Sequence, residues 1–272
     1  WSSDVCSSDL PPELREDTGE IEAAEAGDLP DLLELDAIRG DLHTHTDWSD
    51  GNNTIAEMVA GAAERGYEYH VVSDHATGPG MVGGVGLDDD ELREQMDAVA
   101  DVAADADIAV LHGVEANIDD EGGISVDDDL LAELDVVVAS PHSSLGQDRE
   151  TATERIVRAV EHPSVDVLGH PTGRLIHTRP GLELDYERIA EAAAEHETAL
   201  EVNANPHRLD LNDAGVRAAV EGGVTIAIDT DAHSPATLDY MRYGVHTARR
   251  GWAEEADVLN TRDIDGLREF LH

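Results

Sequence analysis

The 272-residue chain contains no lysine: all seventeen of its basic residues are arginine, set against 61 Asp and Glu, for a formal charge of −44. No cluster of basic residues interrupts this excess, which argues against nucleic-acid binding through a cationic face that releases counterions from phosphate. The single cysteine, Cys6, excludes an internal disulfide framework and a thiolate-built zinc site. Aromatic residues are only 3% of the chain, so the core has to be built from Val, Ile, Leu and Ala. No apolar run approaches the ~18 residues of a membrane span. A basic segment leading into an apolar stretch is missing too, so no membrane partner and a cytoplasmic location are expected.

What is present is organised. The chain opens on Trp1, and residues 1–10 carry the Cys and four Ser in a stretch unlike the acidic, Ala-rich remainder, so they are expected to be a foreign extension. Residues 11–36 form a charged, partly helical lead-in, and the texture changes at Ala37. From there short β-branched runs alternate with Ala/Glu-rich stretches. Strands are predicted at 38–45, 69–73, 108–115, 136–140, 165–169, 198–204 and 224–229, and helices at 54–65, 89–104, 151–161, 185–196, 212–221 and 236–250. Each strand-plus-helix unit takes roughly 30 residues, the size of a βαβ step. Continuous apolar runs bounded by turn signals suit parallel strands buried on both faces. Seven units suggest a closed α/β barrel, although periodicity does not by itself exclude an open sheet.

Ligand-type side chains gather where these strands end. The first runs into His43, Thr44 and His45, followed by Asp50; the second ends at His75, the third at Glu115, the fourth at His142, the fifth at His170, and the seventh at Asp231 and His233. In a barrel all of these lie on one rim, where catalytic loops sit. His43 and His45 are two apart, as are Asp231 and His233, a spacing that puts both members on one side of an extended strand. Acids are so abundant that Asp50, Glu115 or Asp231 alone says little, and a lone strand-end His is more often a satisfied core or surface residue. Six of fourteen His at strand ends is harder to obtain by accident. Imidazole with carboxylate, and no thiolate, suits Zn, Mn or Fe. The remaining His read as surface or packing residues, with His207 the main exception. Gly83, Gly84, Val85 and Gly86 lack the strand-to-helix context of a phosphate loop and read as a rim loop.

The series DLHTHTDWSDG, VSDHA, HGVEANI, ASPHSS, LGHPTGR and DTDAHS resembles the polymerase and histidinol phosphatase (PHP) domain over residues 38–272. The resemblance implies a distorted (β/α)7 barrel with two to three divalent metals, Zn or Mn, at the C-terminal rim of the strands. It assigns His43, His45, Glu115 and Asp231 to a first metal, and Asp50, His75 and His233 to a second. Glu115, His142 and His170 would hold a third, with Glu115 bridging. Every one of the nine positions carries a competent side chain, which implies a catalytic copy.

A narrower resemblance, to bacterial and archaeal X-family DNA polymerases, rests on PPELREDTGEIEAA, NANPHRLDL, MRYGVHTARRGW and VLNTR. It implies a domain at 37–272 that follows a polymerase region absent here, with 11–36 as the end of that region. The expected activity is metal-assisted hydrolysis at DNA 3′ ends, as a 3′–5′ exonuclease or 3′-phosphatase, with Glu115 and Asp231 central. Arg174 and Arg208, just after the fifth and sixth strands, are candidates to reach substrate phosphate, against the plainer alternative of surface ion pairs. Two other readings stand beside this: a small-molecule phosphatase of the histidinol-phosphate type, and a metal-bearing structural module of a polymerase. An amidohydrolase-like barrel is disfavoured because many of those bridge their metals with a carbamylated Lys. The extreme charge, with Arg and no Lys, resembles proteins of salt-accumulating halophilic archaea, since molar salt shortens the Debye length to ~3 Å.

Overall fold

The computed structural model describes residues 10–81 and 85–271; Cys6, Gly83 and Gly84 fall outside the described residues. Seven parallel strands neighbour one another in chain order: β1 (Gly40–Asp41), β2 (Tyr69–Val72), β3 (Ala109–Asn117), β4 (Val136–Ser140), β5 (Val167–Leu168), β6 (Ala199–Asn203) and β7 (Ile226–Asp229). A lead-in helix, α1 (Glu20–Ala26), precedes them. Around the barrel stand α2 (Ile55–Glu64), α3 (Asp89–Ala103), α4 (Asp128–Leu131), α5 (Arg149–Val160), α6 (Tyr186–His196), α7 (Asp213–Glu221) and α8 (Met241–Arg250), with α9 (Ile264–Phe270) last.

The acid-rich composition starts these helices well. Thr54 and Asp88 form capping boxes with Glu57 and Glu91, and Asp148, Asp185, Asn212 and Asp263 each accept from a first-turn backbone N–H. Such caps satisfy orphan donors and place negative charge at the positive end of the helix dipole. Aliphatic side chains fill the layer between strands and helices, including Met58, Leu92, Val114, Ile156, Ile189 and Ile228. A second cluster holds Leu42, Tyr69, Val71, Val138 and Val167 together with Leu259 and Leu267 from the C-terminal segment. No helix among the described residues is long and apolar enough to cross a membrane.

All seven predicted strands exist, but the ladders of β1 and β5 are shorter than 38–45 and 165–169. At β1 the reason is visible in the seam with β7. There side chains replace ladder bonds: the Leu42 N–H donates to Asp229 Oδ1 (2.8 Å), and the Thr230 N–H donates to Asp41 Oδ1 (3.1 Å). Asn260 spans the seam, donating to Gly40 O (3.2 Å) and Asp229 Oδ1 (3.0 Å) while accepting from the Ile228 N–H (2.7 Å). Above it, His45 N donates to Ala232 O (2.8 Å) and Asp231 N to His43 O (3.0 Å). The result is a distorted, nearly closed barrel.

Two differences concern helices. The predicted helix 236–250 is a 3-10 segment, Pro235–Tyr240, followed by α8. Two short helices, α4 and α9, have too few turns to show a period. The lead-in packs on α8: Arg249 donates to Glu13 (3.0 Å), Glu34 (2.8 Å) and Leu33 O (2.7 Å), while Leu14 and Leu33 are buried.

Candidate metal centre

Every ligand-type residue named from the sequence stands at the C-terminal end of a strand or in the loop beyond it, and all nine converge. Glu115 is at the centre, near the end of β3 and fully buried. Its Oε2 lies 2.6 Å from His75 Nδ1, 3.3 Å from His43 Nε2 and 3.7 Å from His45 Nε2; its Oε1 lies 2.8 Å from His170 Nε2 and 3.2 Å from His142 Nε2. On the open side, Asp231 Oδ1 is 3.2 Å from His45 Nε2, and Asp50 Oδ1 is 3.1 Å from His233 Nε2 and 3.6 Å from His75 Nε2. Three groupings have ligand atoms close enough to share an ion: His43, His45 and Asp231; His45, Asp50, His75 and His233; and His75, Glu115 and His142.

Residues outside this ring fix how the imidazoles point. Glu201, buried on β6, accepts from His43 Nδ1 (2.7 Å) and from the His170 backbone N–H. Asn117 uses its amide to donate to Ala76 O (2.8 Å), so its Oδ1 accepts from His142 Nδ1 (2.8 Å). His233 Nδ1 donates to Asp231 O (2.8 Å). In each case the Nδ1–H is committed and Nε2 is the nitrogen left facing the centre, the arrangement of a metal-ligating His held by an outer partner. Asp74 holds the loop that carries Asp50, accepting from Thr46 N (2.7 Å), Gln95 Nε2 (2.6 Å) and Ser49 Oγ. His170 and Asp231 have positive φ, 24° and 52°, strain held by Glu201 and His43 O and typical of functional sites.

The donors fit divalent cations. Buried His43 Nε2, both nitrogens of His45, His75 Nδ1, His142 Nε2 and Glu115 Oε2 have no hydrogen-bond partner, a set too costly to bury unless cations complete it. Protonation directions agree. Burial works against ionisation of Glu115, yet the facing His75, His43 and His142 hold it well below the usual carboxylate range. Burial likewise disfavours protonated His43, but Glu115 and Glu201 raise it well above the ordinary imidazole value. His45, buried beside His75, is pushed down to about 4.

The two arginines differ in placement. Arg174 Nε donates to Arg208 O (2.7 Å) and its Nη2 to Leu209 O, so its guanidinium grips the backbone of the loop after β6. Arg208, on that loop, directs Nε to Asp231 Oδ2 (3.2 Å).

A family model for the PHP domain matches residues 41–205, which takes in seven of the nine converging side chains. The chain belongs to the PHP domain family. Curated relatives of this PHP domain include a DNA polymerase/3′-5′ exonuclease PolX of Bacillus subtilis, 41% identical over 96% of the chain and 45% of the relative. The chain thus spans about half the length of that relative. A probable phosphatase of Thermoanaerobacter sp. is 30% identical over 85% of the chain and 93% of the relative. Among solved structures, histidinol phosphate phosphatase of Lactococcus lactis, determined with Zn, L-histidinol and phosphate, covers 77% of the chain and 93% of its own at 18% identity and TM-score 0.51. A putative histidinol phosphatase of Listeria monocytogenes covers 73% and 96% at 16% identity and TM-score 0.55. Both likenesses concern the fold. Family membership with a complete donor cluster makes this PHP domain a metal-dependent phosphoesterase.

Glu201, Asn117 and Asp74 were not singled out from the sequence. Glu201 had a signal, a lone acid inside the apolar run TALEVNA, and Asn117 another, two residues past Glu115 on one side of β3.

Proposed function

We propose that the chain hydrolyses phosphoesters at DNA 3′ ends, as the PHP part of an X-family repair polymerase whose polymerase region lies outside this sequence. The observation that carries this reading is the 41% identity to the Bacillus subtilis polymerase/exonuclease, over a span that takes in the lead-in as well as the barrel.

In this reading His43, His45, Asp50, His75, Glu115, His142, His170, Asp231 and His233 would hold two or three divalent ions, Zn or Mn. Such ions bring the pKa of water towards ~7 and neutralise phosphate oxygens. The chain's own groups do the rest. Glu115 and Asp231 fix the ligand geometry, their orientation set by β3 and by the β1–β7 seam. Arg208 offers its remaining N–H groups to a substrate phosphate from beside Asp231, and a planar guanidinium suits that anion. Arg174 keeps the Arg208 loop in place. The inner ligands His43, His45, Glu115 and His170 are buried away from bulk water, a setting in which fixed charges stabilise a developing negative charge most strongly.

The near full-length match to probable phosphatases favours a second reading, a small-molecule phosphatase. The test is a purified chain loaded with Mn or Zn and offered single-stranded DNA ending in 3′-hydroxyl or 3′-phosphate, with histidinol phosphate in parallel. DNA-end cleavage with the higher kcat/KM, reduced at least 100-fold by His43→Ala, is expected. Preference for histidinol phosphate would establish the second reading. Hydrolysis of neither would leave a structural module.

A further inference from the structure

Beside the metal cluster opens a cleft of about 350 Å³, walled on one side by Asp231 and His233 and on the other by Ile176, His207 and Arg208. A bound phosphate uses little of that volume, given that a water's share of liquid is ~30 Å³. The far wall is built from two segments. Residues 174–181 form a tight hairpin, with Leu175 N donating to Arg179 O (3.0 Å) and Arg179 N to Leu175 O (2.8 Å). Ile176 N donates to His207 O (2.7 Å), which ties this hairpin to the loop after β6. Leu175 and Ile176 remain half-buried and His207 exposed, so an apolar edge and an imidazole face the opening.

Charge sets this wall apart. Neither 167–182 nor 202–209 contains an Asp or Glu, in a chain where 61 of 272 residues are acidic, yet together they carry Arg174, Arg179 and Arg208. On a strongly negative molecule, such a gap concentrates the approach of an anion at one place. Of the three arginines, Arg208 lines the cleft with its Nε on Asp231, so the cleft offers one guanidinium next to the ligand cluster and an apolar, π-bearing surface farther out. That pairing matches a phosphate joined to a flat heterocycle.

We propose that the cleft is a subsite for one unpaired terminal nucleoside, whose base lies against Ile176 and His207 while its phosphate faces Arg208 and the metal cluster. The subsite rests on the phosphoesterase reading and names its substrate class, a nucleotide end and not a small acyclic phosphate. Contact between a base and such a side-chain platform tolerates any base, because every base has a π-face. Ile176 and His207 are specificity residues; they touch no reacting atom.

The test is calorimetric binding of thymidine 5′-monophosphate and of deoxyribose 5-phosphate, which lacks the base, to the Mn-loaded chain. Wild type is expected to bind the nucleotide at least 10-fold tighter than the sugar phosphate, and Ile176→Ala/His207→Ala to close that gap by weakening the nucleotide alone. Equal affinities in wild type, or a gap that survives in the double variant, would overturn the subsite. Hydrolysis of the p-nitrophenyl ester of thymidine 5′-monophosphate is followed separately. Base discrimination without hydrolysis of any phosphoester would sink the phosphoesterase reading and leave the subsite standing; hydrolysis without discrimination would do the reverse.

Discussion

Glu201 illustrates how much the centre depends on a side chain that holds no ion in the proposed scheme. It fixes the His43 ring through Nδ1 and the His170 backbone through its other oxygen. Glu201→Gln preserves shape but removes the charge that raises His43 basicity, and loss of such an outer partner typically costs 10–100-fold in metal affinity. That loss is expected in a competition titration with a chromophoric chelator, with the melting temperature of the metal-free protein nearly unchanged. Protons provide a second check. His43 is raised well above its ordinary value, and Asp50 and Asp231 lift His233 to about 9 against the opposing effect of burial. At neutral pH the metal-free protein therefore carries these protons, and cations must displace them. Metal loading at pH 7 is expected to release at least one proton, seen as a dependence of the calorimetric heat on buffer ionisation enthalpy, and affinity is expected to fall as pH drops. The six converging histidines were legible because imidazole is scarce and its placement at strand ends is improbable by chance, whereas Asp50, Glu115 and Asp231 gained weight only through the family resemblance. Asp74 was hidden by the opposite circumstance, since one acid more in so acidic a chain carries no signal until its burial is known; Glu201 stood out only as a lone acid inside an apolar run.

Among the elements, the β1–β7 seam is the least regular and the most informative. Its strand was expected over 38–45, but only Gly40–Asp41 form a ladder, and beyond them carboxylates and Asn260 take the place of ladder partners. Periodicity registers burial and not the identity of a hydrogen-bond partner, so the short ladder could not be read from it. The motif VLNTR, noticed as part of a family resemblance, acquires a physical task through Asn260. Asn260→Ala leaves the Ile228 N–H without its partner and removes a donor from Asp229, a loss on the order of 3 kcal/mol for buried groups. Urea unfolding is expected to show that decrease, whereas Thr54→Ala, which removes only the α2 cap, costs about 1 kcal/mol. The fully buried side chains on the seam make the two changes distinguishable.

For the whole molecule, a net charge of −44 makes long-range repulsion a term in stability. Screening shortens its reach from ~10 Å at 0.1 M to ~3 Å at 1 M salt. The chain is expected to gain stability steeply between 0.1 and 2 M KCl, with a rising thermal midpoint; a midpoint independent of KCl would mean that the charges are already neutralised locally. Removal of divalent ions should lower the midpoint further, most of all at low salt, because the cluster then gathers Glu115, Asp231 and Asp50 with no countercharge but imidazolium. Seven strand-and-helix units suggested a closed α/β barrel, and the family resemblance implied one; what the sequence did not reveal is the set of side-chain bonds by which β1 and β7 meet.

That meeting has a consequence during synthesis. His43 and His45 emerge from the ribosome well before Asp231 and His233, and the Asn260 clasp that joins their strands later still. A nascent polypeptide cannot assemble its full complement of ion-binding groups until translation has passed His233. Capture of the ions thus reports that every strand of this barrel has been made, and a product cut short before Asn260 would be left gaping, hydrolytically silent and readily recognised by proteases.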